Sequence, residues 1–370
     1  MATLAERLRE KIEARGPVTF RDWMEAALYD EREGYYRRPD LPRWGSSGDY
    51  RTSPERTPLF AATFARHFAA LHERLGSPSR WTILEAGAGA GHFARAALET
   101  LARDHARAFA ATRYVIDEVG EDSRARVEAR LSDFTASLEF RRLDEFGEGG
   151  LGAGIIFSNE LLDALPVHRV LRRAGRLLEL FVGLDGAGAF TWIEREPSTP
   201  RLAEYFSEQG IELAEGQSAE VNLAAEEWVA RAARALTRGF VITADYGAEA
   251  TELYDPRLRP RGTLRAFRAH QFSDDPLRDP GLQDLTTTVN WTRIKKAGES
   301  AGLRALSLER QDQFLLRAGL LDQLERLSAL APDEPARARL RLAARDMILP
   351  GGMAESFQVL VQKKAVICGP

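Results

Sequence analysis

Thirteen residues, WTILEAGAGAGHF from Trp81 to Phe93, place an acid and three alternating glycines where an apolar run ends. Gly87, Gly89 and Gly91 lack the Cβ that would keep a ligand away from the backbone, so this turn can wrap closely around a small molecule. Glu85 sits just before the turn and could balance positive charge near it. A second apolar run, YVIDEV from Tyr114 to Val119, also ends in acids, and Glu118 or Asp117 lies at the distance at which nucleotide-binding folds place a ribose-binding carboxylate. A third set follows Ala153 to Ser158, where Asn159, Glu160 and Asp163 come directly after a strand-like stretch. If a helical turn forms there, Glu160 and Asp163 share a face. An N-cap Asn159 with a negative first turn accounts for the same residues without any chemistry.

These residues need a scaffold that brings strand ends together. Thr82 to Leu84 read as a buried strand and His92 to Leu101 as a helix whose N-terminus faces the glycine turn. Gly239 to Asp245 reads as another central strand ending in an acid, and Leu303 to Leu308 and Phe357 to Val361 as later ones. Helices alternating with single strands predict an α/β fold with a mostly parallel sheet. Val167 to Glu194 has hairpin character, with Gly175 and Asp185-Gly186 as turns. At the N-terminus, Met1 to Arg15 and Phe20 to Tyr29 read as helices, the second opened by Thr19 with Asp22, and Pro58 to Leu75 as a third with Phe60, Phe64 and Phe68 on its apolar face. Asp30 to Glu55 and Asp245 to Asn290 are long irregular stretches of the kind that forms lids or substrate-binding segments. The second holds His270, more often structural than catalytic when alone. The domain division expected is 1–76, a helical segment with a covering loop, and 77–370, a Rossmann-like domain with insertions at about 166–218 and 246–290.

Composition removes other classes. The chain has 370 residues, 44% of them hydrophobic and 29% charged, with a net charge of -4. That balance gives no general reason to expect nucleic acid as a partner. No run approaches a membrane span and no signal-peptide core is present, so no membrane insertion is expected. A single cysteine, Cys368, excludes an intramolecular disulfide and a cysteine-rich metal site. With six histidines and no H-x-E or C-x-x-C pattern, no metal is expected. A reducing compartment follows, and with acids in the first helix arguing against a transit peptide, a cytoplasmic location is the expectation.

The loop pattern, acid-x-G-x-G-x-G rather than G-x-G-x-x-G, resembles motif I of the S-adenosyl-L-methionine (SAM) methyltransferases. Further blocks occur in order: GYY at 34–36, GDYRTSPE from Gly48 to Glu55, ILEAGAGAGHF, YVIDEV, FSNELLDALPVH from Phe157 to His168, ADYG from Ala244, GTLRAFRAHQF from Gly262 and DPLRDPGLQDLTTTVNW from Asp275 to Trp291. Together they resemble the MidA-like SAM-dependent methyltransferases, a family that includes the mitochondrial protein arginine methyltransferase needed for respiratory complex I assembly. The resemblance implies a class I methyltransferase sheet closed by an antiparallel strand, SAM as cofactor, and a loop, with Asp49, Ser53 and Pro54, that closes over it. Cofactor-binding residues would then be Glu85, Gly87, Gly89, Gly91 and Glu118 with those three.

It also implies a protein substrate, an arginine-containing subunit of the 49 kDa type in complex I, while leaving the oligomeric state unknown. A guanidinium is protonated at neutral pH, so methyl transfer to it needs carboxylates that orient the fork and stabilise its charge. Glu160 and Asp163, with Asn159, are the catalytic candidates, and Asp49 and Glu55 the second choice. Two departures stand out: Asn290 where the pattern leads one to expect an acid, and Ala88 where proline is common. An NAD-dependent oxidoreductase, a non-catalytic assembly factor with this fold and a small-molecule methyltransferase are the alternatives.

Overall fold

The structure is a computed structural model that describes residues 2–39, 41, 57–268, 271–349 and 356–364. The chain divides into two compact units. One draws on Met1–Tyr50, Leu162–Trp228 and Gly247–Lys296, the other on Arg51–Leu161, Val229–Tyr246 and Ala297–Pro370. The helix Pro58–Arg74, grouped by sequence with the N-terminal segment, belongs to the second of these. Its Phe60, Phe64 and Phe68 are fully buried against Phe93 and Phe157, so side-chain packing and not position in the chain decides its allegiance.

The second unit is built on a seven-stranded path: β1 (Trp81–Ala86), β2 (Thr112–Asp117), β3 (Leu138–Phe140), β4 (Gly152–Asn159), β5 (Leu236–Ala248), β6 (Leu303–Arg310) and β7 (Phe357–Lys364). Their spatial order is β6-β7-β5-β4-β1-β2-β3. β3, β2, β1, β4 and β5 pair in parallel, while β7 runs antiparallel to both β5 and β6. The antiparallel closing strand expected from the family resemblance is therefore β7. Strand order reverses at β1 and β4, and in open α/β sheets ligands bind beyond the carboxyl ends of the strands at such a reversal.

β1 is buried along its whole length, as a strand covered on both faces must be. On one face its Trp81 and Ile83 join a core with Phe64, Phe68, Phe93 and Phe157, the last two rings stacked with centroids 4.4 Å apart. Each such ring contributes about 1.5–3 kcal/mol on burial. After β6 come two helices, Gln311–Ala318 and Leu320–Leu330, separated at Gly319, whose φ of 98° lies outside helical space.

In the first unit, helix Phe20–Tyr29 starts as predicted, with the Thr19 side chain accepting from Asp22 N. The hairpin pattern becomes strands His168–Arg173, Arg176–Leu184 and Phe190–Arg195, all antiparallel. A short strand, Ser218–Val221, pairs with the first of them, and a helix begins at Leu223. All four residues of that strand are buried, so sheet packing overrides their local preference. The irregular stretch before Asn290 contains a small sheet of Arg265–Arg268, Gln271–Ser273 and Asp284–Thr286.

Candidate functional site

In the sheet unit the glycine turn follows β1 directly. Gly87, Gly89 and Gly91 have φ of 72°, 55° and 77°, a region that side chains with a Cβ seldom occupy. A Cβ on Gly87 would lie 3.1 Å from Leu161 Cδ1, and one on Gly91 3.1 Å from Val127 Cγ2. Gly91 also forms the N-cap of helix His92–Asp104, with no side chain capping its first turn. The helix thereby presents free backbone donors and the positive end of its dipole to an anionic group. A zwitterionic amino-acid tail such as that of SAM would fit this arrangement, since the helix start can receive an anionic group.

The acids around the turn divide the work differently from their spacing in sequence. Glu118 lies at the tip of β2, its Oε2 accepting from Gly89 N at 2.9 Å and its Oε1 from Val119 N and Gly120 N at 2.9 and 3.0 Å. It therefore builds the glycine turn that the sequence placed beside it. Asp117 fastens the segment after β3, accepting from Leu143 N at 3.0 Å and pairing with Arg142 at 2.7 Å. Burial raises its pKa, and the Leu143 N–H and Arg142 oppose the rise.

Glu85 departs furthest from expectation. It is 4% exposed and accepts a 2.5 Å hydrogen bond from the Tyr114 hydroxyl. Burial pushes its carboxyl up to about 8; the Tyr114 bond opposes the rise and neighbouring Glu118 adds to it. The expected counter-charge is thus a neutral acid near pH 7 before any cation arrives.

Asn159 ends β4 and its side-chain amide donates to Glu160 Oε1 at 2.9 Å. The helical turn expected over Glu160 to Asp163 does not form. Glu160 has φ 51°, its N–H bonds to Ala244 O at 3.0 Å, and Leu161 N donates to Asp245 Oδ2 at 3.2 Å. Neither N–H enters a helix, so the shared-face argument and the N-cap argument both lapse. Asp245, fully buried at the carboxyl end of β5, also accepts from Tyr246 N at 2.8 Å and so braces the turn after β4.

Asp163 belongs to the first unit, where it is 4% exposed. Its carbonyl accepts from Thr287 N at 2.9 Å, which stitches the DALP block to the DLTT block. Tyr29 OH donates to Ala164 O at 3.1 Å and Tyr36 OH to Asp284 Oδ1 at 2.6 Å, bringing in the GYY block. Sequence reasoning quoted these blocks without assigning Tyr36, Asp284 or Thr287, since nothing local says that residues so far apart meet. Tyr114 was also missed, although counting register from β1 would set it opposite Ile83, one alternation from Glu85.

Asn290 has a structural task. Its Oδ1 accepts from Arg293 N, capping helix Trp291–Ser300, and its amide donates to Tyr205 OH at 3.0 Å and Gln209 Oε1 at 2.9 Å. Asp49, Ser53, Pro54, Glu55 and His270 lie outside the described residues. Among the described residues there is no group of three or more His, Cys, Asp or Glu able to hold a metal, and no helix long and apolar enough to cross a membrane.

Residues 63–308 match the family described as "Putative S-adenosyl-L-methionine-dependent methyltransferase". Among curated proteins, the chain is 27% identical to "Protein arginine methyltransferase NDUFAF7 homolog, mitochondrial" of Drosophila melanogaster, covering 99% of this chain and 86% of that protein. It is 25% identical to "Protein arginine methyltransferase NDUFAF7, mitochondrial" of Danio rerio, covering 96% and 86%. A crystal structure from Burkholderia thailandensis bound to S-adenosyl-homocysteine is 31% identical, with a TM-score of 0.85 over 99% of this chain and 92% of that one. The expectation of a cytoplasmic protein is overturned by the curated relatives, which are named as mitochondrial. The glycine turn, the strand order and the extent of these matches together establish that the chain belongs to the S-adenosyl-L-methionine-dependent methyltransferase family, with S-adenosyl-L-methionine as its cofactor.

Proposed function

We propose that the protein is a protein arginine N-methyltransferase whose acceptor is a subunit of the 49 kDa type in respiratory complex I, and that the modification supports assembly of the complex. The observation that carries this reading is the match over 99% of the chain to a relative named as a protein arginine methyltransferase. The complex I acceptor comes from the motif resemblance alone.

SAM supplies an electrophilic methyl group on a positively charged sulfur. The protein's part is to place an acceptor nitrogen in line with it and to keep water out. In this reading Gly87, Gly89, Gly91, Glu85 and Glu118 serve the cofactor. Glu160, fixed by its backbone bond to Ala244 and by the Asn159 amide, offers a carboxylate at a strand end. Such a carboxylate holds two N–H groups of a guanidinium fork and leaves a third nitrogen for the methyl group. It also stabilises the charge that stays on the guanidinium through the transfer.

The test is incubation of the purified protein with SAM and a recombinant subunit of the 49 kDa type, followed by mass spectrometry. Methylated arginine in that subunit is the expected result. An acceptor that stays unmodified while SAM binds normally would refute the acceptor assignment.

A further inference from the structure

We propose that Asp245 is a positioning residue for methyl transfer: it holds the chain at Glu160 in a left-handed conformation that sets the Glu160 carboxylate, and through Leu161 it ties that carboxylate to the glycine turn. The inference rests on the role of Glu160 in holding the acceptor guanidinium, and not on which protein carries the arginine.

The four residues concerned, Gly87, Glu160, Leu161 and Asp245, all belong to the sheet unit. Glu160 has φ 51°, a region that costs a residue with a Cβ about 1–2 kcal/mol. A residue stays there only when its surroundings over-determine it. Consecutive residues of β5 supply the restraints. The Glu160 N–H donates to Ala244 O at 3.0 Å and the Leu161 N–H to Asp245 Oδ2 at 3.2 Å. The first bond prolongs the parallel pairing of β4 with β5, in which Asn159 lies opposite Ala244. The second leaves the ladder for a side chain. Asp245 is fully buried, its backbone is fixed opposite Gln358 of β7, and its Oδ1 accepts from Tyr246 N at 2.8 Å. With one oxygen on its own strand and the other on the segment after β4, its carboxylate joins the two strand ends.

Leu161 carries the restraint on to the cofactor side. A Cβ on Gly87 would lie 3.1 Å from Leu161 Cδ1 and 4.0 Å from Leu161 Cβ, so the Leu161 side chain lies directly against the first glycine of the turn. The Asn159 amide, donating to Glu160 Oε1 at 2.9 Å, steadies the carboxylate itself. Gly87, Leu161, Glu160 and Asp245 thus form one chain of contacts across the ends of β1, β4 and β5. A displacement of about 1 Å at the reacting groups costs about a hundredfold in rate. Loss of the Asp245 carboxylate lets Glu160 relax to an ordinary φ, and its side chain moves with it.

Crystal structures of the native protein, Asp245→Ala and Asp245→Val with S-adenosyl-homocysteine test the geometry without an acceptor. In either variant the Glu160 φ should leave the left-handed region and Leu161 should withdraw from Gly87. A Glu160 backbone that stays as in the native protein would overturn the proposal; Asp245→Val, at home in a strand, decides if Asp245→Ala does not fold. In a methylation assay with the recombinant subunit of the 49 kDa type, Asp245→Val should lower kcat about a hundredfold with KM nearly unchanged. Asp245→Asn keeps one acceptor oxygen and should recover about tenfold of that loss. Combined with Glu160→Gln, Asp245→Val should add little to the loss that Glu160→Gln causes alone, since both act on one group. Losses that multiply would overturn the proposal, because Asp245 would then support the fold independently of Glu160. Native activity in Glu160→Gln would overturn the role of Glu160 itself, a failure told apart by crystal structures in which Asp245→Ala still moves the turn.

Discussion

The Tyr36 hydroxyl donates a 2.6 Å hydrogen bond to Asp284 Oδ1 across 248 residues of sequence. Tyr36 is also packed against Tyr29 and Tyr35, with ring centroids 5.5 and 5.2 Å away. Asp284 is 5% exposed. A buried carboxylate deprived of a donor is costly, on the order of 1–3 kcal/mol. Tyr36→Phe should therefore lower the melting temperature by several degrees, read by differential scanning calorimetry. A variant that melts with the native protein would show that the bond carries no net stability.

The glycine turn makes a steeper prediction. Gly91→Ala forces a Cβ into a φ of 77° and to 3.1 Å from Val127 Cγ2. Left-handed backbone costs a residue with a Cβ about 1–2 kcal/mol, and any shift that relieves the contact moves the helix start that should receive the cofactor carboxylate. SAM affinity measured by calorimetry should fall at least about tenfold, with the far-ultraviolet circular dichroism unchanged. Native affinity in this variant would mean that the turn does not hold the cofactor.

Glu85 ties stability to pH. Its carboxyl titrates near 8 in the fold, against an ordinary value of 4.5. Between those values the folded protein keeps a proton that the unfolded chain has lost, so this group's contribution to stability declines as pH rises from 4.5 to about 8 and levels off above. Glu85→Gln has no proton to lose. Its melting temperature relative to the native protein should climb by a few degrees between pH 5 and about pH 8. A difference that stays flat across that range would place the Glu85 pKa in the ordinary region.

Asn290 should matter to the fold. Asn290→Ala removes the cap on Arg293 N and leaves the Tyr205 hydroxyl and Gln209 without their amide donor. Cap loss and unsatisfied buried groups each cost about 1 kcal/mol or more, so urea unfolding should shift to lower midpoint. An unshifted midpoint would show that the Asn290 side chain carries no net stability.

Glu160 is the activity test. Glu160→Gln preserves shape and the backbone N–H bond to Ala244 O, and removes the charge. In a methylation assay with the proposed acceptor, kcat should fall about a hundredfold, the usual scale for loss of one group that stabilises charge at the reacting centre. Activity within twofold of native would free Glu160 of that role.

Much of the cofactor side was legible in sequence because its information is local. A glycine at every second position demands a left-handed turn, an apolar run before it demands a buried strand, and a helix former after it supplies an anion-binding end. Block order along the chain was enough to recognise the family and, through it, the closing antiparallel strand. Register and charge were not local. Whether Glu85 is ionised depends on Tyr114 from the next strand and on complete burial, neither of which a linear pattern contains. Glu160 and Asp163, three residues apart, read as one helical face, yet Asp245 from β5 takes the Leu161 N–H and the helix does not start. Asn290 read as a missing acid and is a helix cap bound to Tyr205 and Gln209. Short-range backbone preferences are written residue by residue, whereas the protonation and pairing of buried groups are settled by whatever the fold brings alongside them.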